Sequence, residues 1–256
     1  MIARLRRKPA AAIGRPHAEH EPARAECQYG RPQAGVHAIE QDPGRHGVRE
    51  GAHQETRQGH GAPRREGCDV IDLGIVADRI EDTVAAVRRA RDQAADILVS
   101  TGGASVGDYD LVQRALAHEG LVLSFWRVAM RPGRPMLHGR LGPMHVMGLP
   151  GNPVSAYVCA FLFLVPLIRR LAGRDDVEPR PEAALLGCDI KQNDERTDYL
   201  RARLMLQDTG LPLANPVPVQ DSSMLSALAA ADCLLIREPH APASKAGAPC
   251  SVLRLI

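Results

Sequence analysis

From Cys68 onward, apolar positions recur along the chain with two alternating periods. Asp69 to Val76 has the length and β-branched content of a strand. Ile80, Val84 and Val87 then fall at i, i+4 and i+7, which predicts a helix over 79–93, and Asp78 with Glu81 three residues on reads as a capping box at its start. Ile97 to Ser100 is a second buried-type strand. It runs into Gly102, Gly103 and Gly107, and a helical pattern follows over 109–119 until Gly120 closes it. Strand–helix–strand–helix order implies a parallel sheet. Leu121 to Val128 and His145 to Gly148 predict further strands, and Met130 to Pro135 a rigid loop. Asn152 is placed to cap a helix that has Pro153 at its first position, kinks at Pro166 and stops at Gly173.

Two stretches break this pattern. Residues 1–67 hold six of the ten histidines and only six Ile, Leu or Val, and no period of 2 or 3.6 is sustained there. Such a composition buries too little apolar surface to offset chain entropy. The segment is expected to be low-complexity and irregular or disordered, or read from a shifted frame. Residues 174–182 are charged and proline-bearing and read as a linker. From Ala183 short alternating runs such as Tyr199 to Leu204 replace the helical pattern. The expected class is therefore α/β: a three-layer α/β domain with a mostly parallel sheet over 68–173, then a small β-barrel domain over 183–256.

Composition narrows the function classes. A net charge of +2 and 3% aromatic residues argue against a nucleic-acid binder built on bulk charge or base stacking. The six cysteines, at 27, 68, 159, 188, 233 and 250, show no C-x-x-C spacing and fit reduced thiols in a cytoplasmic protein. Ala156 to Ile168, the longest apolar run, has 13 residues and contains Pro166, which is too short for a bilayer span and suits a buried helix. The basic start, Arg4 to Lys8, is followed by no apolar signal region. No membrane or nucleic-acid partner is expected.

The candidate chemistry gathers at the carboxyl edge of the sheet. Gly102 and Gly103 can adopt positive φ and lack a Cβ, so a phosphate or a flat ring can come close to the backbone. No Gly-Lys-Ser/Thr follows, so the loop is not a Walker A loop, and taken alone it reads first as a plain strand-to-helix turn. Asp78 and Asp110 could hold Mg²⁺ against a diphosphate. Their plainer readings are a helix cap for Asp78 and a solvated first helical turn for Asp110. Arg127, Arg131 and Arg134 surround a Pro-Gly turn and suit an oxyanion. Pro150, Gly151, Asn152 and Pro153 form another helix start on the same edge. His118 and His145 are isolated, and Ser105 lacks the G-x-S-x-G frame of a nucleophile elbow. Any chemistry would rest on positioning and electrostatics.

These residues carry a resemblance. Ser100 to Gly107 with Asp110, Phe125 to Arg127, Met130 to Pro135, Gly148 to Ser155, Arg196 to Ala202 and Gln220 to Ser226 together resemble the molybdopterin molybdenumtransferase family, which includes the E domain of gephyrin. The match covers roughly 66–256. The resemblance implies insertion of molybdate into adenylylated molybdopterin with Mg²⁺-dependent release of AMP. Carried over by position, Asp78 and Asp110 would bind metal or ligand. Arg127 and Arg131 would stand where the family has lysines. Gly102, Gly103, Ser105, Gly107, Arg134, Pro150, Gly151, Asn152 and Pro153 would line the substrate pocket, with Ser223 approaching from the barrel. A homodimer and a molybdopterin adenylyltransferase partner are implied in the same way. The family also carries two further N-terminal domains and a strand ending in Thr-Gly-Asp-Glu-Leu, which residues 1–67 do not contain. The second reading is therefore a truncated, catalytically impaired homologue that binds a pterin phosphate or a partner.

Overall fold

A computed structural model describes residues 2–6, 33–41, 61–102, 109–218, 220 and 225–255. Ile97, Leu98 and Val99 are at most 1% exposed, so the strand they form, β4 (Ile97–Thr101), is covered on both faces as a central parallel strand must be. Around it lie β2 (Gln33–Gln41), β3 (Asp69–Val76) and β8 (Met144–Leu149), in the spatial order β3-β2-β4-β8, all parallel. The sheet is extended at one end by β7 (Leu137–Leu141) and β5 (Val122–Trp126), and at the other by β1 (Ile2–Arg6), each antiparallel to its neighbour.

Alternation along β4 sorts the two cores. Leu98 joins Val146, Leu137 and Leu141 under two helices, α2 (Ile80–Asp92) and α3 (Tyr109–His118), which bury Val84, Ala86, Val87, Ala90, Val112, Ala115 and Leu116. Ile97 and Val99 face the other way. They meet Met147, Leu149, Val158, Leu164 and Ile168, so the helix running from Pro153 to Leu171 forms the third layer. That helix is long and apolar enough to cross a membrane by length and composition, but its buried positions are spent on this core. Pro166 disturbs it as expected. The helix runs as α4 (Pro153–Cys159), widens into a π turn over Ala160–Leu164, and resumes as α5 (Val165–Leu171). Proline has no N–H to donate and its ring displaces the carbonyl one turn back, which is a common origin of such a bulge.

Three expectations change. The region read as aperiodic supplies β1, β2 and a helical turn, α1 (Gly61–Arg65). The expectation of a structureless start therefore does not hold for these stretches. Their conformation is set by pairing: β2 is hydrogen-bonded to β1, β3 and β4, so sheet neighbours and not periodicity hold it. The start of α2 carries no capping box. Its cap position is Arg79, without a side-chain cap bond, and the Arg79 guanidinium turns instead to Asp82 while Thr83 Oγ1 donates to the Arg79 carbonyl. Between the loop expected over Met130–Pro135 and the strand expected from His145 lies an additional strand, β7, which makes a hairpin with β8 through Gly142 and Pro143.

The second sheet closes on itself. Strands β9 (Glu182–Leu186), β10 (Thr197–Met205), β11 (Leu213–Pro216), β12 (Cys233–Arg237) and β13 (Pro249–Arg254) run in the order β11-β9-β13-β12-β10, and β10 pairs back onto β11. The five-stranded barrel is filled by Ala184, Leu186, Ala202, Ala214, Cys233, Leu235 and Val252, mostly small side chains suited to a narrow interior. A short helix, α6 (Leu225–Ala229), lies between β11 and β12. One strand from the α/β part of the chain, β6 (Met130–Arg131), pairs in parallel with β10 and fastens the two parts together. Within the α/β part Glu66 ties the segment before β3 to the end of the long helix, accepting from Arg169 at 2.7 and 2.9 Å and from Arg174 at 2.8 Å.

At the β7–β8 hairpin, His138 Nε2 and His145 Nδ1 are 3.1 Å apart. One ring must donate and the other accept, so the pair requires neutral imidazole. Burial, with Arg140 nearby, pushes His145 down to about 4 and lowers His138 as well. Between the unfolded histidine value near 6.5 and about 4, the unfolded chain takes up a proton that the folded chain refuses, so stability falls as pH falls through that window. Urea unfolding midpoints should therefore drop from pH 7 to pH 5, and His145→Gln should flatten the dependence. Equal slopes for the two proteins would contradict this.

Candidate active site

In the first sheet β2, β3, β4 and β8 follow one another in sequence, but β2 lies between β3 and β4 in space. The chain thus steps outward from β2 to β3 and then crosses back past β2 to β4. Connections leaving neighbouring parallel strands in opposite directions open a crevice at their carboxyl ends. The glycine loop begins there: Thr101 is in register with Glu40 of β2 and with Leu149 of β8. Gly102 has φ +84°, a conformation that side chains oppose. The loop after β8 touches it. A Cβ on Gly151 would stand 3.2 Å from Gly102 Cα, so the close approach of the two loops favours glycine at position 151.

The start of α4 follows the sequence reading. Asn152 has extended backbone angles, its Oδ1 accepts from Ser155 N at 3.1 Å, and Pro153 occupies the first turn. Val154 and Ser155 are buried, which anchors the loop formed by Pro150, Gly151 and Asn152. Of the other residues proposed from sequence, Gly103, Ser105, Gly107 and Ser223 lie outside the described residues. Asp110 sits in the first turn of α3, with its side chain outside them.

The cationic turn runs beside the α4 start. Val128 N donates to Arg134 O at 3.0 Å and Arg127 N to Met136 O at 2.9 Å, closing the turn around the cis Arg131–Pro132 bond. With the barrel it frames a cleft of about 670 Å³ whose charged lining is Arg131, Arg134, Arg196, Arg201, Asp194 and Asp198. Among the described residues of the lining, four guanidiniums stand against two carboxylates, a net positive count. Ser155 and Gln220 also line it.

Within the cleft Arg131 is held by the barrel. Its Nε donates to Asp198 Oδ1 at 2.8 Å, and its Nη2 to Asp194 Oδ2 at 2.8 Å and Asp198 Oδ2 at 3.1 Å. Arg196 also donates to Asp194, and with Arg131 it holds that carboxyl down to about 2. The Asp198 carboxylate raises the Arg131 value in turn. None of the ion pairs among the described residues involves Arg134, which lies exposed at the cleft. Arg201 is 1% exposed, and Gln220 brackets its backbone, accepting from its N–H at 3.0 Å and donating to its carbonyl at 2.9 Å.

The structure therefore joins Arg131 and Arg134 in one cleft and Gly102 and Gly151 in one junction. It does not bring Asp78 or Arg127 into the cleft. Asp78 is exposed beyond the end of β3, two strands away from the glycine loop with β2 between them. Arg127, at φ +72°, stacks over the Trp126 ring at 4.2 Å. Sequence reasoning did not assign site roles to Asp194, Asp198, Arg196, Arg201 or Gln220. The available signal was the density of paired charges opening β10, where a plain barrel strand has no need of them. Among the described residues no group of three His, Cys, Asp or Glu side chains could hold a metal ion.

Comparison with known proteins decides what this arrangement belongs to. Residues 61–170 match the family model described as a probable molybdopterin binding domain, and residues 183–255 match the MoeA C-terminal region, domain IV. The chain belongs to the molybdopterin molybdenumtransferase family. A molybdopterin molybdenumtransferase from Haemophilus influenzae is 34% identical over 172 residues, 67% of this chain and 42% of that protein. One from Bacillus subtilis is 33% identical over 66% of this chain and 39% of that protein. The chain thus spans about two fifths of the length of these relatives. A molybdopterin biosynthesis MoeA protein from Pyrococcus horikoshii shares the fold, with a TM-score of 0.66 and 22% identity over 85% of this chain and 53% of that one.

Removing the cap at the start of α4 tests its local role. Asn152→Ala should lower stability by about 1 kcal/mol, read from the urea midpoint, while Asn152→Asp should stay near the parent. A neutral result for the alanine variant would mean that the sheet junction alone holds this loop.

Proposed function

We propose that the chain serves molybdenum cofactor biosynthesis as a molybdopterin molybdenumtransferase, binding adenylylated molybdopterin and inserting molybdate with release of AMP. The observation that carries this reading is the contact of two glycine-dependent loops at the switch point, next to a cleft with a net positive lining. Backbone N–H groups of the 102 and 150–152 loops would receive phosphate oxygens, aided by the positive ends of α3 and α4. Arg134 would meet an anion directly, and Arg131 would hold its place through Asp198. Gly103, Ser105, Gly107 and Ser223 belong to the same proposed site on the strength of the resemblance.

Mg²⁺ enters this reading through Asp78 and Asp110. The described donors do not by themselves form a cation site, since Asp78 stands as one exposed carboxylate. If bound, the ion would neutralise charge on the diphosphate, and the roles given to Arg131, Arg134 and the loops do not depend on it. The proposed division is an α/β unit over 68–173, a linker over 174–182 and a barrel over 183–256. The cytoplasmic setting, a homodimer and a molybdopterin adenylyltransferase partner are likewise part of this reading.

A second reading, an impaired homologue that binds a pterin phosphate or a partner, has its own observation. The strand in the central slot, β2, ends in Ile39-Glu40-Gln41 and carries no Thr-Gly-Asp-Glu-Leu motif. Titrating the purified chain with adenylylated molybdopterin, with and without Mg²⁺, and then adding molybdate and assaying AMP separates the two. Binding followed by AMP release supports the transferase, binding alone supports the second reading, and no binding overturns both. Arg134→Ala should weaken binding about tenfold, the loss of one charge-assisted contact.

A further inference from the structure

Gly133 sits at the bend of the cationic turn with φ +111° and is buried. A Cβ built on it would stand 2.4 Å from Cys159 Sγ and 3.3 Å from Met130 Cε. Both sulfur side chains are buried, Cys159 wholly and Met130 to 2% exposure. Cys159 Sγ also lies 3.5 Å from the Gly133 carbonyl oxygen, in the range of a weak S–H donor. Burial pushes its thiol up to about 12, so at neutral pH the proton needed for that contact is present. Cys159 belongs to α4, the helix whose first turn carries Asn152 and Ser155. One helix therefore ends the 150–152 loop at its start and supports the Arg131–Arg134 turn about two turns later.

From this geometry we propose that Cys159 is a positioning residue, acting through Gly133, that sets how far the Arg131–Arg134 turn stands from the start of α4 and thereby tunes anion binding in the cleft. The proposal rests on the reading of the cleft as an anion site and adds the part that spaces its two walls. Met130 Cε stands 3.3 Å away on the same seat, so a side chain at position 133 either displaces these sulfur side chains or lifts the turn with both arginines.

The test is a double-mutant cycle read by calorimetric titration with inorganic pyrophosphate, at a temperature where thermal scans show every variant folded. Gly133→Ala should weaken pyrophosphate binding about tenfold. Adding Cys159→Ala removes the colliding sulfur and should recover about threefold or more of that loss, the positive φ at position 133 accounting for the remainder. Cys159→Ser, which keeps a small donor toward the Gly133 carbonyl, should remain within about twofold of the parent. A role confined to stability would shift the unfolding temperatures and leave the affinities alone. Pyrophosphate binding by the parent with strictly additive losses overturns the proposal and leaves the anion cleft standing. No binding by the parent overturns the reading of the cleft and the proposal together.

Discussion

The parallel pairing of β4 with its two neighbours fixes where everything chemical in this molecule can be. Ile97 to Val99 are sealed on both faces, so β4 cannot slide by one residue without exchanging the side chains of two separate cores. Its register with β8 sets Thr101 beside Leu149, and so the loops that follow both strands emerge at the same height. Once they do, steric limits take over. At 3.2 Å from Gly102 Cα, a Gly151 Cβ would be crowded against backbone, and Gly102 is in a conformation that side chains oppose. The glycines answer to strand register, and the anion binding proposed for the loops would in turn depend on the glycines.

The helix from Pro153 to Leu171 converts that edge into a walled site. Its apolar face is committed to the sheet through Val158, Leu164 and Ile168, which fixes its rotation. With rotation fixed, Asn152 and Ser155 are presented at one end and Cys159 beneath the cationic turn. The π turn at 160–164 lies beyond these positions, so Pro166 disturbs the helix only after its site-forming part is complete. Beyond the bulge, Arg169 reaches Glu66 and binds the helix to the residues that precede β3. The same helix is thus core element, loop anchor and clamp, and its sequence is more apolar than a surface helix because two of these tasks lie inside the protein.

Legibility from sequence followed how local the cause was. Asn152-Pro153 and the run of β4 carry their signals within a few residues, and the structure agrees with both. The α/β order and the closed barrel were readable because alternating periods extend over the length of each part. β2 was not readable, since Val36 and Ile39 are its only branched apolar residues and its conformation depends on three partners elsewhere in the chain. β7 was hidden for a related reason: Leu137, Gly139 and Leu141 alternate with His138 and Arg140 over only five residues. The capping box at Asp78 failed because Arg79 took the cap position, a shift of one residue that local pattern does not resolve. In the cleft, Arg131 was identified as a cation, but its partner Asp198 lies 67 residues away and joins it only because β6 pairs with the barrel.

That pairing decides the division of labour between the two arginines. Arg131 is clamped by two carboxylates, so its charge is partly spent and its position is fixed; a ligand anion would have to share or displace Asp198 to claim it. Arg134, three residues on in the same turn, has no such clamp among the described ion pairs and keeps its full charge toward the cleft. A turn with two free guanidiniums would repel itself and swing with the ionic strength of the surroundings. With one arginine clamped to the barrel and the bend seated on Cys159 and Met130, the remaining arginine is held at a defined distance from the loops of the α/β sheet. Ordering a cation before a ligand arrives lowers the entropy lost on binding, so the Arg131–Asp198 contact would serve affinity by fixing Arg134, the neighbour proposed to meet the anion.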